Sequence, residues 1–215
     1  MTLDPAKLYS PAEALELVKK TSKTKFDSSV EAHCKLGIDP AKSDQAVRGT
    51  VSFPHGTGKT KKIAAFVDAG SETAAQEAGA DIVGSELLID EIASSSKIDF
   101  EVAIATPAMM SKLAKIAKIL GPKGLMPNPK SETVTTDVRK TIAELKRGKV
   151  TFKNDDTGNV HVALGKVSFD TQKLLENFTT FMDALRRVKP SSSKGVFIRS
   201  CTVTSTMGKG IKIQV

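Results

Sequence analysis

Cysteine and histidine are scarce in this chain, which bears on disulfides and metal sites. The 215 residues include two cysteines, Cys34 and Cys201, and three histidines, His33, His55 and His161. The cysteines stand far apart, each in an alternating apolar pattern, which favours burial as small hydrophobes over a disulfide framework or a cysteine-bound metal. The histidines show no ligand spacing such as HxxxH, and no cluster of cysteines or carboxylates accompanies them. The sequence therefore implies no zinc site.

Long apolar runs are also absent. No stretch approaches the roughly 20 consecutive apolar residues that span a bilayer, and the first residues, MTLDPAKLYS, lack the basic and apolar regions of a signal peptide. Hydrophobic residues make up 40% of the chain and charged residues 26%, which excludes disorder as a global description. We expect a soluble, cytoplasmic protein with no membrane partner, built from one large domain or two small ones.

Acidic residues are outnumbered by basic ones, and the excess is uneven. The chain has 32 Lys and Arg against 24 Asp and Glu, a net charge of +8 and a pI near 9.4. Residues 57–148 hold 13 basic and 12 acidic side chains, so the two ends together carry a net +7. Within the middle, residues 111–147 hold nine basic and three acidic groups. This balance favours a polyanionic partner, although solvated lysines alone would give the same count.

The first sixty residues predict one helix and two strands. Ser10-Pro11-Ala12-Glu13 has the pattern of a capping box with proline at the first helical position, which predicts a helix through about Lys20. Residues 29–38 alternate apolar and polar side chains, as in a half-buried strand, and residues 47–53 are predicted to be its partner. Both strands would belong to an antiparallel sheet with one wet face.

The middle of the chain changes to short apolar runs separated by helical windows. Strands are predicted at 63–67, 82–83 and 102–105, and helices at 71–79, 85–93, 107–119 and 136–147. Strands that alternate with helices favour a parallel sheet. We therefore predict a Rossmann-like, three-layer α/β domain over residues 57–148, inserted into the other domain.

The C-terminal part resembles the first sixty residues in its pattern of strands and a capped helix. Residues 150–153 and 160–164 predict a β-hairpin around a turn at 154–159. Asp170 is placed to cap a helix that runs to about Val188, and residues 196–204 and 211–215 predict the closing strands. Residues 1–56 and 149–215 together would form a split α+β domain. The expected fold class is thus α/β and α+β, in two domains.

One segment resembles part of a nucleotide-binding loop. Gly56-Thr57-Gly58-Lys59-Thr60 matches the end of a P-loop, but the first glycine of that motif would fall at Phe53, and a strand rather than a helix is predicted to follow. A nucleotide-binding α/β enzyme using residues 56–60 is the alternative hypothesis. No carboxylate pair, and no nucleophile with its base, can be placed beside His33. We therefore predict no catalytic residue, no cofactor and no enzyme.

A stiff loop is predicted in the middle of the chain. The segment 121–130, GPKGLMPNPK, contains three prolines and two glycines, which fix an ordered and non-helical backbone. Such a loop either connects two elements or offers Lys123, Gly124 and Lys130 to an anion or an RNA backbone.

Two further segments have side chains suited to RNA. The segment 205–210, STMGKG, combines hydroxyl groups, a glycine that permits close backbone approach and a methionine able to cover a sugar or base. Lys25 and Phe26 add a cation and an aromatic ring just before the first strand. From the residues alone, a core position is favoured for Phe26.

Several motifs together resemble one family. They are GPKGLMPNPK at 121–130, KLGIDP at 35–40, QAVRGTVSFPHGTGK at 45–59, NDDTGNVH at 154–161 and STMG at 205–208. This set is similar to the ribosomal protein L-one family in its bacterial type. The resemblance implies a split RNA-binding domain with an inserted domain, bound to large-subunit rRNA in the mobile stalk beside the E site. It also implies help in releasing deacylated tRNA and repression of the protein's own mRNA.

The resemblance further implies an rRNA-binding surface. Carried over by position, that surface falls on Lys25, Phe26, Ser29, Ser200, Thr206, Met207 and Gly208. This places Phe26 at the RNA rather than in the core. Charge and placement near the same strands add three weaker candidates, His33, Lys35 and Lys166. The expected partners are large-subunit rRNA, E-site tRNA and the protein's own operon mRNA, and the free protein is expected to be a monomer.

Overall fold

The computed structural model describes residues 7–95 and 97–214. The chain divides into two compact units. The split unit comprises the residues up to Lys59 together with those from Gly148 onward, and the middle unit comprises Thr60–Arg147. The class is mixed α/β, and no helix within the described ranges is long and apolar enough to cross a bilayer.

Strands and helices alternate along much of the chain. Within the described residues, the strands are β1 (Ser29–Leu36), β2 (Arg48–Ser52), β3 (Ile63–Phe66), β4 (Ile82–Gly84), β5 (Val102–Ala105), β6 (Lys149–Lys153), β7 (Asn159–Lys166), β8 (Ile198–Ser205) and β9 (Ile211–Ile213). The helices are α1 (Pro11–Thr21), α2 (Glu72–Glu77), α3 (Glu86–Ser95), α4 (Pro107–Leu113), α5 (Ala117–Leu120), α6 (Val138–Lys146) and α7 (Thr171–Arg187).

The split unit is built around an antiparallel four-stranded sheet with the order β7-β1-β8-β9. Buried and part-exposed side chains alternate along β1, because successive side chains of a strand point to opposite faces. The buried face packs against α1 and α7 in one apolar core, where the rings of Phe152 and Phe181 meet edge to face. The opposite face of the sheet carries polar side chains and is the one on which candidate RNA-binding residues lie.

Two predicted strand pairings are wrong. Residues 47–53 do contain β2, but β2 pairs with β6 and not with β1. The predicted hairpin at 150–164 is not formed either, since β6 pairs with β2 and β7 pairs with β1, while an isolated bridge joins Asn154 to Val160. The alternating pattern that predicts a strand does not specify its neighbour, which lies far away in the chain.

Capping signals predict the starts of α1 and α7 with different success. Ser10 Oγ accepts the N–H of Glu13 at 3.4 Å, and the Glu13 carboxylate accepts the N–H of Ser10 at 3.3 Å. The predicted capping box is therefore confirmed. Helix α7 begins directly after Asp170 as predicted, but the Asp170 side chain makes no capping hydrogen bond, so that part of the prediction is wrong.

The middle unit is built on a parallel sheet in which β3 lies between β4 and β5. Every residue of β3 is buried, because apolar clusters cover both faces of the sheet. Ala64 and Phe66 join the cluster of α3 and α4, whereas Ile63 and Ala65 join that of α2 and α6. The predicted helix at 107–119 is interrupted by a 3-10 turn between α4 and α5.

Candidate nucleic-acid interface

A strained turn joins β8 to β9. Met207 has a φ of +64°, a left-handed conformation that costs a non-glycine residue about 1–2 kcal/mol, and it is 90% exposed. The N–H of Gly208 donates to the Ser205 carbonyl at 2.7 Å, and a Cβ added at Gly208 would lie 2.2 Å from Ser205 Oγ. The turn therefore requires glycine at 208, and it holds an apolar side chain in solvent for which core packing gives no reason.

Hydrogen bonds tie this turn to the start of β1. The N–H of Thr206 donates to the Ser29 carbonyl at 3.0 Å, and the N–H of Ser29 donates to Thr206 Oγ1 at 3.2 Å. Lys166 Nζ donates to Ser29 Oγ at 3.3 Å and to the Asp27 carbonyl at 3.2 Å. The structure thus brings Ser29, Thr206 and Lys166 together at one end of the sheet.

The segment before β1 presents Lys25 and Phe26 to solvent. Phe26 is 58% exposed, so the core position favoured by the residues alone is wrong. Asp27 accepts hydrogen bonds from the N–H and the hydroxyl of Ser168 at 3.1 and 2.8 Å, which anchors the segment. An anchored and exposed aromatic ring is suited to stacking on a nucleobase.

A basic pocket of about 420 Å³ opens beside the turn. It is lined by Lys20, Thr21, Lys23, Thr24, Met207, Gly208 and Lys209. Its three cations (Lys20, Lys23 and Lys209) are called the pocket lysines below, and its lining contains no carboxylate. Sequence reasoning missed them. The dense run of lysines over 19–25 was a usable signal for two of them, but their convergence with the third depends on the fold.

The polar face of the four-stranded sheet carries other predicted residues. Lys35 projects from β1, donates from Nζ to the Thr157 carbonyl and lies opposite Ser200 of β8. At about 3.4 Å per residue, the five steps from Ser200 to Ser205 span roughly 17 Å along β8. Ser200 therefore shares the sheet face with the strained turn but does not belong to the cluster around it.

Two histidines meet on this polar face. His33 of β1 and His161 of β7 are direct partners in the strand pairing, with their Nδ1 atoms 2.8 Å apart. Desolvation, and next the nearby His161, lower the pKa of His33 against an opposing effect of Glu31. Across residues 7–95 and 97–214, no group of three or more His, Cys, Asp or Glu side chains forms a metal-binding cluster.

Asp155 closes the turn that leads into β7. Its carboxylate accepts the N–H of Asn159 at 2.7 Å and the N–H and hydroxyl of Thr157, each at 2.9 Å. These hydrogen bonds, that from the Asn159 backbone first, hold the pKa of Asp155 well below its usual range. Asp155 thus lies in the turn predicted at residues 154–159 and stabilises it.

The predicted stiff loop of the middle unit, residues 121–130, is ordered. Gly124 has a φ of +71°, and its N–H donates to a carbonyl of the same loop at 3.0 Å. Two apolar side chains of the loop pack against the cluster of α3 and α4. Lys123 and Gly124 are exposed, whereas the side chain of Lys130 lies outside the described part of the chain.

Residues 56–60 do not form a phosphate-binding loop. Gly56 and Gly58 have φ values of +63° and +71°, and the chain continues into β3 at Ile63 rather than into a helix. A P-loop places its phosphate at the N-terminus of the helix that follows the glycines. The nucleotide-binding alternative therefore lacks its structural basis at this segment.

Comparisons with known proteins cover nearly the whole chain. The sequence profile described as "Ribosomal protein L1p/L10e family" matches residues 18–209. Large ribosomal subunit protein uL1 of Chloroflexus aurantiacus is 54% identical over 213 residues, which cover 98% of this chain and 90% of that protein. Proteins of the same name from Saccharopolyspora erythraea and Corynebacterium diphtheriae are 52% and 50% identical over 211 residues, covering 98% of this chain and 88% and 89% of theirs. The resemblance seen in the motifs is confirmed, and the chain belongs to the ribosomal protein L1p/L10e family.

Proposed function

We propose that this chain is a constituent of the large ribosomal subunit and that its split unit binds large-subunit rRNA. The observation that carries the proposal is an exposed methionine, Met207, held in a strained turn that also lines a basic pocket. Strain is retained where the surrounding structure imposes it, and such positions cluster at functional sites. Membership of a ribosomal protein family agrees with the prediction that the chain is not an enzyme.

The proposed surface separates contacts that position the RNA from contacts that specify it. The pocket lysines and Lys25 supply positive charge for phosphate groups. Met207 and Phe26 offer apolar contact to a sugar or base, and the hydroxyls of Ser29 and Thr206 lie beside them for 2′-hydroxyl groups. Gly208 has no side chain, which lets the protein backbone come close to the RNA.

The polar sheet face extends this surface away from the turn. Ser200 and Lys35 lie opposite each other in the strand pairing, and His33 lies on the same face of β1. Lys166 stands at the turn itself, bonded to Ser29. We assign Ser200, Lys35 and His33 to the outer part of the rRNA contact and Lys166 to the part at the turn, where cations and hydroxyl groups follow the phosphate backbone.

The assignment of domains and the role on the ribosome rest on the family resemblance. We propose an rRNA-binding domain of residues 1–56 and 149–215 and an inserted Rossmann-like domain of residues 57–148, an assignment that a parallel sheet with apolar clusters on both faces supports. On the ribosome the protein would form the mobile stalk and assist release of deacylated tRNA from the E site. We propose that the loop of Lys123, Gly124 and Lys130 contacts an RNA phosphate, and the protein's own operon mRNA is a second proposed ligand.

Matched variants separate specific recognition from charge. Thr206→Val and Met207→Ala are expected to weaken binding to the stalk-base fragment of large-subunit rRNA by about tenfold or more, while weak binding to a scrambled hairpin of equal length stays unchanged. Alanine at the pocket lysines should weaken binding to both RNAs. Lys173 is exposed on α7, so Lys173→Ala removes the same charge away from the pocket and is the matched control.

Equal losses on both RNAs for both kinds of variant would contradict the site assignment.

A repressor of mRNA that never joins ribosomes would show the same RNA binding. Co-sedimentation of the protein with large ribosomal subunits distinguishes that case, and its absence would contradict the ribosomal role.

A further inference from the structure

We propose that His33 and His161 form a two-histidine site for a divalent transition-metal ion on the polar face of the split unit. The side chains are 128 residues apart in the chain, and the pairing of β1 with β7 places them directly opposite each other. The rRNA proposal also uses His33, but the metal site does not depend on that proposal, because it needs only the two strands and the side chains that flank them.

Each imidazole ring presents one nitrogen to a carboxylate and the other to its partner ring. Nε2 of His33 lies 3.8 Å from the Glu31 carboxylate, and Nε2 of His161 lies 3.4 Å from the Asp155 carboxylate. The Asp155 carboxylate favours the tautomer of His161 with its proton on Nε2, which leaves the lone pair of that ring on Nδ1. The two Nδ1 atoms lie 2.8 Å apart, close enough to share one proton as a hydrogen bond or to hold a metal ion in its place.

The ring of His161 therefore has the outer partner that metal-bound histidines usually have, whereas Glu31 lies near Nε2 of His33 without a hydrogen bond to it. A histidine that ligates a metal almost always donates its other N–H to a carboxylate, a carbonyl or water, which fixes the orientation of the ring. Asp155 is itself held in place and ionised by hydrogen bonds from Asn159 and Thr157. The outer part of a metal site is thus present on the ring of His161.

The spacing of the nitrogens suits a first-row transition metal. Zn–N bonds are about 2.0–2.1 Å long, so two nitrogens bound at angles between square and tetrahedral are roughly 2.9–3.4 Å apart. The observed 2.8 Å reaches this range after a small rotation of the rings, which are tilted by 60° with their centroids 5.0 Å apart. The side chains of His33 and His161 are 31% and 52% exposed, so water can complete the coordination. Imidazole ligands favour Zn²⁺, Cu²⁺ and Ni²⁺ over the hard cations.

Calorimetric titration of the untagged full chain with Zn²⁺ at neutral pH tests the site. We expect saturable binding of one Zn²⁺ per chain, and His33→Gln and His161→Gln should each weaken it by about tenfold or more. His55→Gln is the matched control, because His55 is likewise paired with a carboxylate, that of Glu176 at 2.6 Å, and it should leave the affinity unchanged. Cu²⁺ bound to the same chain should give an electron paramagnetic resonance spectrum with two nitrogen ligands.

An outer-partner variant gives a second and finer test. Asp155→Asn keeps both ligands and should weaken Zn²⁺ binding by about tenfold, with thermal melts confirming that each variant is folded. The site would be overturned if Zn²⁺ binding did not saturate, if His33→Gln kept the affinity for Zn²⁺, or if His55→Gln lost it. The two histidines would then share only a hydrogen bond. The assay contains no RNA, so its failure would not bear on the rRNA proposal.

Discussion

Replacement of Met207 tests whether the strained turn serves binding rather than stability. A left-handed conformation costs a non-glycine residue about 1–2 kcal/mol, and a side chain that is 90% exposed gains almost nothing from burial. Met207→Gly removes the strain but adds unfolded-state entropy equivalent to about 0.5–1 kcal/mol. We therefore expect the free energy of unfolding to stay constant or to rise by up to about 1.5 kcal/mol.

The same substitution, Met207→Gly, should lower the affinity for rRNA. Burial of a methionine side chain against a sugar or base contributes about 1.5–3 kcal/mol, which corresponds to roughly ten- to hundredfold in Kd. Urea unfolding measures the stability and filter binding measures the Kd, while Met207→Ala keeps the strain and loses the side chain. The reasoning is refuted if Met207→Gly lowers stability by more than about 1 kcal/mol or binds rRNA as tightly as the unaltered protein.

Other substitutions test the anchoring, the pH response and the charge of the split unit. Asn177 is buried and donates to two backbone carbonyls at 2.9 and 2.7 Å, so Asn177→Leu should lower the free energy of unfolding in urea by about 2–5 kcal/mol, and a loss near zero would contradict this role. Because the pKa of Asp155 is lower in the folded than in the unfolded state, its stabilisation is present above about pH 4 and lost as the pH falls further. The thermal midpoints of the unaltered protein and of Asp155→Ala should accordingly converge in acid, and a constant gap would be the contrary result. Each pocket lysine that neutralises a phosphate should contribute about 0.7–0.9 to the log–log salt slope of rRNA binding. Alanine variants measured across a salt series should lose that amount, whereas Lys173→Ala should not.

Signals confined to a few neighbouring residues predicted the elements of the fold. The capping box at Ser10 and Glu13 marks the start of α1, and the apolar run of β3 marks a strand covered on both faces. Strand pairing was predicted poorly. The partner of β2 is β6, about a hundred residues further along the chain, and an alternating pattern carries no information about a partner at that distance.

The candidate surface was predicted mainly from the family resemblance and partly from residue type, but not from geometry. Phe26 is an aromatic residue of the kind usually found in a core. The structure exposes it beside Asp27, which is anchored to Ser168, far away in the chain. The strain at Met207 is a property of the backbone that the sequence STMG does not reveal. The contact between His33 and His161 depends on the register of β1 with β7, so their spacing in the chain resembles no ligand motif.

Binding of the purified protein to the stalk-base fragment of large-subunit rRNA, across a salt series, tests the central claim most directly. A scrambled hairpin of equal length provides the comparison, because phosphate contacts alone bind both RNAs and weaken steeply with salt. We predict that the native fragment stays bound at salt concentrations that remove the scrambled one. Equal and equally salt-sensitive binding to both RNAs would contradict specific rRNA recognition by the surface around Phe26, Thr206 and Met207.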